Sequence, residues 1–372
     1  MDYHLGRGCG IADLYPCRYL SLQLPGIGQE TGREFQGATD PGPPSFTGQL
    51  SMSSHRVLIS DYSWPDVDIE RQVLARADAE LVVAPSDDAA TLRELADGVD
   101  AIMTCWAVIP AEVIGAMKDC RGVIRLGIGL DNIDVDYCTR QGIPVTNVPD
   151  YCQQEVAEHT LALILALARN LGVFHQDARD GIYCRENGPP LLRLEGRTLG
   201  LVGLGNIGRV VASKARALGL QVIATRRDLS RSTDGIPVMP LPDLLQQSDF
   251  VSLHLPLNDE NVSLIGEVEL AAMKPGSFLI NTARGGLVDH QALAGALDRG
   301  QLAGAALDVQ DPEPPPLDQP PYNHPRVIVT PHAAFISQQS LLDLRTRASN
   351  QVVQCLRGEV PDNLVNPECL DV

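Results

Sequence analysis

Thr198–Gly203 (TLGLVG) reads as a short apolar strand, and Gly203-Leu204-Gly205-Asn206-Ile207-Gly208 follows directly. A G-x-G-x-x-G alone is a weak signal. Here a helical stretch starts at Asn206, and a second apolar strand, Gln221–Thr225 (QVIAT), comes after it. Strand, glycine loop, helix and strand in that order point to a parallel α/β unit that holds a dinucleotide. Gly203 permits the tight turn, Gly205 lets the backbone approach a pyrophosphate, and Gly208 lets the helix pack close to its strand. The pyrophosphate then meets unpaired N–H groups and the positive dipole end at the helix N-terminus. Asn206 and Ile207 belong to the same cofactor-binding loop.

The pattern extends through the rest of the chain. Upstream, apolar runs at Arg56–Asp61, Glu80–Ala84, Ala101–Cys105, Gly122–Leu126 and Ile143–Thr146 read as strands. Asp68–Arg76, Thr91–Ala96 and Pro110–Met117 read as helices between them. Downstream, Phe250–His254, Ser277–Asn281, Ala303–Val309 and Val327–Thr330 read as strands, and Leu244–Gln247, Gly266–Met273 and His290–Asp298 as helices. Glu155–Asn170 is apolar around most of its cylinder. It reads as a core helix, or more sharply as a connector between two domains and a subunit contact. Gln338 to Leu356 reads as a last helix that returns to the first lobe.

Strands alternating with helices imply parallel sheets covered on both faces. The expected fold is α/β, with two doubly wound parallel-sheet lobes. A Rossmann dinucleotide-binding lobe (151–339) is inserted in a flavodoxin-like substrate lobe (55–150 and 340–372).

Length and composition fit this organisation. A chain of 372 residues allows two or three domains. Residues 1–54 hold nine Gly and five Pro and show no sustained apolar period. They read as a disordered extension. Met52, just ahead of the first strand, is a candidate alternative start, which mass spectrometry of the native N-terminus would decide. The net charge of −18 argues against non-specific binding to nucleic acid or to an anionic membrane face. No apolar run is long enough for a membrane span. Nine scattered cysteines without a C-x-x-C pair, and no secretory signal, suit reduced thiols in a cytoplasmic protein.

The end of the strand after the glycine loop bears on which dinucleotide binds. An NAD site usually carries Asp or Glu there for the ribose 2′-OH. This chain has Thr225-Arg226-Arg227. Two guanidiniums suit a 2′-phosphate, with Ser230 and Ser232 as further donors. The cofactor is therefore expected to be NAD(P)(H), leaning to NADP(H). If the arginines are solvated or stack on adenine, NAD is accepted.

Arg284, Glu313 and His332 each stand just after the carboxyl end of an expected parallel strand, the edge where open α/β sheets bind ligands. Any one of them alone would read as a surface ion pair or a stray histidine. All three at strand ends of one nucleotide-binding lobe read as a catalytic set. No metal site is expected. Cys105 and Trp106 follow a first-lobe strand and read as packing residues, with a place in the cleft as the alternative.

Five stretches give a specific resemblance: RLGIGLDNID (125–134), GLGNIG (203–208), NTARGGLVD (281–289), GAALDV (304–309) and TPHAA (330–334). The chain resembles the D-isomer-specific 2-hydroxyacid dehydrogenases over about residues 56–367. Within them it is most similar to the branch containing the C-terminal-binding corepressors. The resemblance implies an NAD(P)-dependent oxidoreductase of the CH–OH group of a small D-2-hydroxy acid, or a 2-keto acid reductase, usually a homodimer. It implies His332 as general acid and base, Glu313 as its orienting partner, and Arg284 as carboxylate binder. Asp308 would accept from the nicotinamide carboxamide. Ile128 and Gly129 would offer backbone N–H groups to the small anionic substrate, with Arg125 as a further anchor. Phe335 replaces a tryptophan that shapes the corepressor pocket, and Arg226 replaces the aspartate of NAD-preferring members. A nucleotide-sensing interaction protein with little turnover is the alternative, and hydride chemistry on an unusual anion such as a phosphonate is a third.

Overall fold

The structure, a computed structural model, describes residues 54–228 and 235–372. The expected extension apart from Ser54, Met52 within it, and both serines offered as phosphate donors lie outside the described residues.

The first lobe is a five-stranded sheet of β1 (His55–Ile59), β2 (Ala79–Val83), β3 (Ala101–Thr104), β4 (Gly122–Arg125) and β5 (Val145–Thr146). The order is β2-β1-β3-β4-β5, all parallel. β3 and β4 are buried along their whole length. That is why their sequences are runs of apolar residues and not alternations. Helices α1 (Asp68–Leu74), α2 (Ala89–Leu95), α3 (Ala111–Ile114) and α4 (Val135–Arg140) connect them. Pro110 caps α3 from outside instead of sitting in its first turn, and the helix stops at Gly115. α4 was not expected. It is short and polar, and the Asp134 side chain starts it by accepting from the Tyr137 N–H at 2.9 Å.

Helix α5 (Gln153–Ala168) leads through α6 (Leu171–Arg179) into the second lobe. Residues Ala157, Leu161, Ile164 and Ala168 of α5 join one core with Leu199, Val211, Ala215 and the stacked rings of Phe250 and Phe278. The core reading of α5 therefore holds. Among the described residues no single helix is long and apolar enough to cross a membrane.

The second sheet has six strands: β6 (Thr198–Val202), β7 (Gln221–Thr225), β8 (Phe250–Leu253), β9 (Ser277–Asn281), β10 (Leu302–Leu307) and β11 (Val327–Val329). All are parallel, in the order β11-β10-β9-β8-β6-β7. Val238 adds one parallel bridge to Ala224 beyond β7. That bridge stands where a Rossmann sheet carries its outer strand. Helices α7 (Asn206–Ala217), α8 (Leu241–Gln247), α9 (Glu267–Ala272) and α10 (His290–Asp298) cover the faces. The strand order reverses at β6, with β7 on one side and β8 on the other, the switch point where such sheets bind ligands.

Finally α11 (Gln338–Leu356) runs back to the first lobe. Its Leu344, Ala348 and Val352 join the core of β1, β3 and α1. Arg345 is buried there against Glu70, with donor–acceptor distances of 2.7 and 2.8 Å.

Candidate active site

The carboxyl ends of the two sheets face a common cleft of about 350 Å³. Arg125, Ile128 and Gly129 line it from the first lobe. Gly205, Asn206, Ile207, Arg284, Asp308, His332 and Phe335 line it from the second. These residues, far apart in sequence, thus line one cleft, whereas Glu313, Gly203, Gly208, Thr225, Arg226 and Arg227 are not in its lining.

His332 sits in the turn after β11, with φ of +50°. A non-glycine residue in the left-handed region is held there by its surroundings. Here the His332 N–H donates to the Asp308 carbonyl at 2.7 Å. Its ring Nδ1 lies 2.8 Å from Glu313 Oε2, and the Gln310 N–H donates to Glu313 Oε1 at 2.9 Å. Burial pushes the Glu313 carboxyl up. The hydrogen bond and charge of His332, the Gln310 N–H and the charge of Arg284 outweigh it, and the net shift is below the ordinary value. Glu313 takes Nδ1, which leaves Nε2 for the cleft.

Arg284 follows β9 through a turn clamped by buried Asn281, which accepts from the Ala283 N–H and donates to the Arg284 carbonyl. Its Nε and Nη2 each donate to Asp131 Oδ1 at 3.2 Å, and Nη1 donates to the Ala283 carbonyl. Asp131 comes from the other lobe. Burial raises its carboxyl, but Arg284 prevails and holds it below the ordinary value. A Cβ on Gly129 would fall 1.6 Å from Arg284 Nη2. Only glycine lets the guanidinium pass that close.

Asp308 is fully buried. Its carboxylate accepts from Thr330 Oγ1 at 2.6 Å and from the Ala333 and Ala334 N–H groups at 2.9 and 3.0 Å. Most of its accepting capacity is spent on tying down the His332 loop. Arg125 is also buried. It donates from Nη1 to the Leu126 carbonyl, and its Nε has no partner among the described residues.

The cofactor side fits a dinucleotide. Gly203 has φ of +103°, and a Cβ there would lie 2.2 Å from the His254 carbonyl. A Cβ on Gly208 would meet the Gly203 carbonyl at 2.5 Å. Around Gly205 a Cβ would meet nothing within 4 Å, and Gly205 and Asn206 are exposed. The requirement for glycine at 205 thus comes from outside the protein, as expected where a pyrophosphate approaches. Thr225 ends β7, and its carbonyl accepts from the Gly203 N–H at 3.0 Å. Beyond it the two arginines diverge. Arg226 has a buried Nη1 with no hydrogen-bond partner among the described residues. Arg227 is exposed and pairs with Glu260 at 3.0 Å. Of the two arginines expected at a 2′-phosphate, Arg226 thus keeps an unpartnered Nη1, while Arg227 holds a solvent-exposed ion pair of the kind that adds little stability.

Sequence reasoning missed two residues. Asp131 lay inside a quoted stretch, but its partner is on the other lobe. His254 lines the cleft, hydrogen-bonds Ser252, and is pushed by burial to about 4, so it is neutral at neutral pH. Cys105 and Trp106, read as packing residues with the cleft as the alternative, do both: they join the first-lobe core and line the cleft. The Trp106 ring lies edge-on to His332, with centroids 6.4 Å apart.

The description "D-isomer specific 2-hydroxyacid dehydrogenase, NAD binding domain" matches residues 161–334. A glyoxylate reductase of Korarchaeum cryptofilum is 39% identical over 271 residues, which cover 71% of this chain and 81% of that one. The chain belongs to the D-isomer specific 2-hydroxyacid dehydrogenases. This dehydrogenase binds a nicotinamide dinucleotide and reduces a 2-keto acid by NAD(P)-dependent hydride transfer. Two solved members share its two-lobed architecture. A glyoxylate reductase from Paecilomyes thermophila superposes with a TM-score of 0.76 at 30% identity, covering 85% of this chain and 99% of that one. The D-lactate dehydrogenase of Aquifex aeolicus, complexed with NAD and lactic acid, gives 0.75 at 29% identity, covering 84% and 99%. None of these relatives is a corepressor, so the expected placement in that branch gains no support from them.

Proposed function

We propose that this dehydrogenase reduces a small 2-keto acid of the glyoxylate class with NADPH. The observation that carries the reading is His332, held from behind by Glu313 at 2.8 Å, in one cleft with Arg284 and the glycine loop. The dinucleotide would lie along Gly203–Gly208 with its pyrophosphate at the start of α7, and when reduced it supplies the hydride. His332 gives the proton from Nε2 to the carbonyl oxygen, and in the reverse direction takes it back. Anionic Glu313, an acceptor at Nδ1, fixes the ring so that Nε2 faces the carbonyl oxygen. Arg284 has two N–H groups left after Asp131 and Ala283 are served, and these hold the substrate carboxylate together with N–H groups near Ile128 and Gly129. The unpartnered Nε of Arg125 supports the same anchoring. Asp308 keeps the His332 turn in place, with capacity left for a carboxamide donor.

The cofactor preference rests on Arg226, whose free Nη1 suits a 2′-phosphate. Arg226→Asp is expected to shift the NADPH/NADH ratio of kcat/KM toward NADH; an unchanged ratio removes NADP(H) from the reading. The substrate reading is tested by consumption of NADPH and NADH with glyoxylate, hydroxypyruvate, pyruvate and branched keto acids. Turnover with the smallest acids supports it. Tight nucleotide binding with no turnover on any acid supports the nucleotide-sensing alternative.

A further inference from the structure

Beside His332 the cleft ends in aromatic rings from both lobes. Trp106 stands 6.4 Å from His332 and 6.3 Å from Phe335, centroid to centroid. Phe335 stands 6.0 Å from His332 and 6.3 Å from Tyr151. Phe335 is buried and Trp106 half-buried.

Trp106 comes from the loop after β3, and that loop is not free to swing. Asp61, just beyond the end of β1, accepts the Trp106 N–H on Oδ2 at 2.6 Å and the Cys105 N–H on Oδ1 at 2.9 Å. Thr104 Oγ1 closes the loop by donating to the Ala107 carbonyl at 2.9 Å. One carboxylate thus holds two consecutive N–H groups in charge-assisted bonds, which are stronger than neutral ones. Neither Asp61 nor Trp106 belongs to the acid–base set.

A 2-keto acid has three substituents around its reacting carbon. The reading above puts the carbonyl oxygen at His332 and the carboxylate at Arg284. The remaining substituent then faces the wall that Trp106 and Phe335 form beside His332.

We propose that Trp106, held in place by Asp61, is the specificity-determining residue that limits the substrate side chain, so that the dehydrogenase favours acids with no side chain or a very short one. This deepens the proposed function and rests on it. A fixed indole excludes extra carbons by steric cost, since a packed ring set cannot give way as a flexible chain can. Asp61 is a positioning residue. Its removal frees the loop without removing the ring.

The test compares kcat/KM for glyoxylate, 2-oxobutanoate and 2-oxopentanoate in the full-length protein. Wild type is expected to favour glyoxylate. Trp106→Ala is expected to raise the 2-oxopentanoate/glyoxylate ratio by about tenfold or more, the range that added carbons in an apolar pocket command. Trp106→Phe should return the ratio most of the way to wild type. Asp61→Ala should shift it in the same direction as Trp106→Ala but less, through KM for the longer acid and not through kcat. Trp106→Leu serves the same comparison if the alanine variant does not fold. A ratio within twofold of wild type in a folded, active Trp106 variant overturns the wall while leaving the proposed function standing. Wild type inactive on every acid overturns the proposed function, and the wall with it.

Discussion

The charged side chains of the cleft differ in how they are compensated. Arg284 is offset by Asp131 and His332 by Glu313. Arg125 keeps an unpartnered buried nitrogen. These pairings set the expected behaviour of variants. Glu313 is held below its ordinary value, so its contribution to folding is full above the ordinary carboxylate range and fades as pH falls through the lowered value. Glu313→Gln should therefore lose that acid-side fade in a thermal melt series. Its rate of keto-acid reduction should also fall, because an amide can turn either its oxygen or its NH2 toward Nδ1 and no longer fixes which imidazole nitrogen faces the cleft. Turnover equal to wild type would contradict this role. At this scale Arg284, Glu313 and His332 were legible in the sequence because each follows an apolar strand run. Asp131 and Asp61 were not, and Trp106 only as an alternative, because what they do depends on partners from other loops or the other lobe. The ion pair of Arg227 with Glu260 was not legible either, because Glu260 lies beyond β8, outside the βαβ unit.

The elements follow from local rules wherever apolar runs are long enough. Strands β7 and β9 and helices α10 and α11 have the bounds expected from their sequences. Helix α4 escaped notice because it is short and mostly polar, and α6 because it buries no residue and so leaves no core stripe in the sequence. Their starts depend on the Asp134 cap and on Asn170 in the left-handed region. The glycine turn separates two kinds of constraint. Gly203→Ala strains the backbone and collides with the His254 carbonyl, so it should cost folding stability of about 1–3 kcal/mol. Gly205→Ala meets no protein atom within 4 Å, so it should leave Tm near wild type while weakening nucleotide binding. Paired melts and nucleotide titrations check both; a large Tm loss at Gly205 would contradict the assignment of that glycine to the ligand.

For the whole molecule, the last helix is as important as the first sheet. α11 closes the first lobe with Arg345 buried against Glu70, which is itself fully buried. Removing one partner of such a pair leaves an uncompensated charge and costs about 3–5 kcal/mol. Arg345→Met should show that loss in denaturant unfolding, and adding Glu70→Leu should recover much of it. Recovery of nothing would mean that the pair is not what ties the C-terminus to the lobe. The two α/β series were legible at this scale from strand–helix alternation alone. The relative placement of the lobes was not, because cross-lobe contacts such as Arg284 with Asp131 leave no period in the sequence.

The decisive quantity is kcat/KM for glyoxylate with NADPH in His332→Gln against wild type, with nucleotide Kd measured alongside. General acid catalysis by this imidazole predicts a loss of about 10²–10⁴-fold with Kd within twofold. Undiminished turnover in the variant would show that the proton comes from elsewhere and that the cleft does not work through His332.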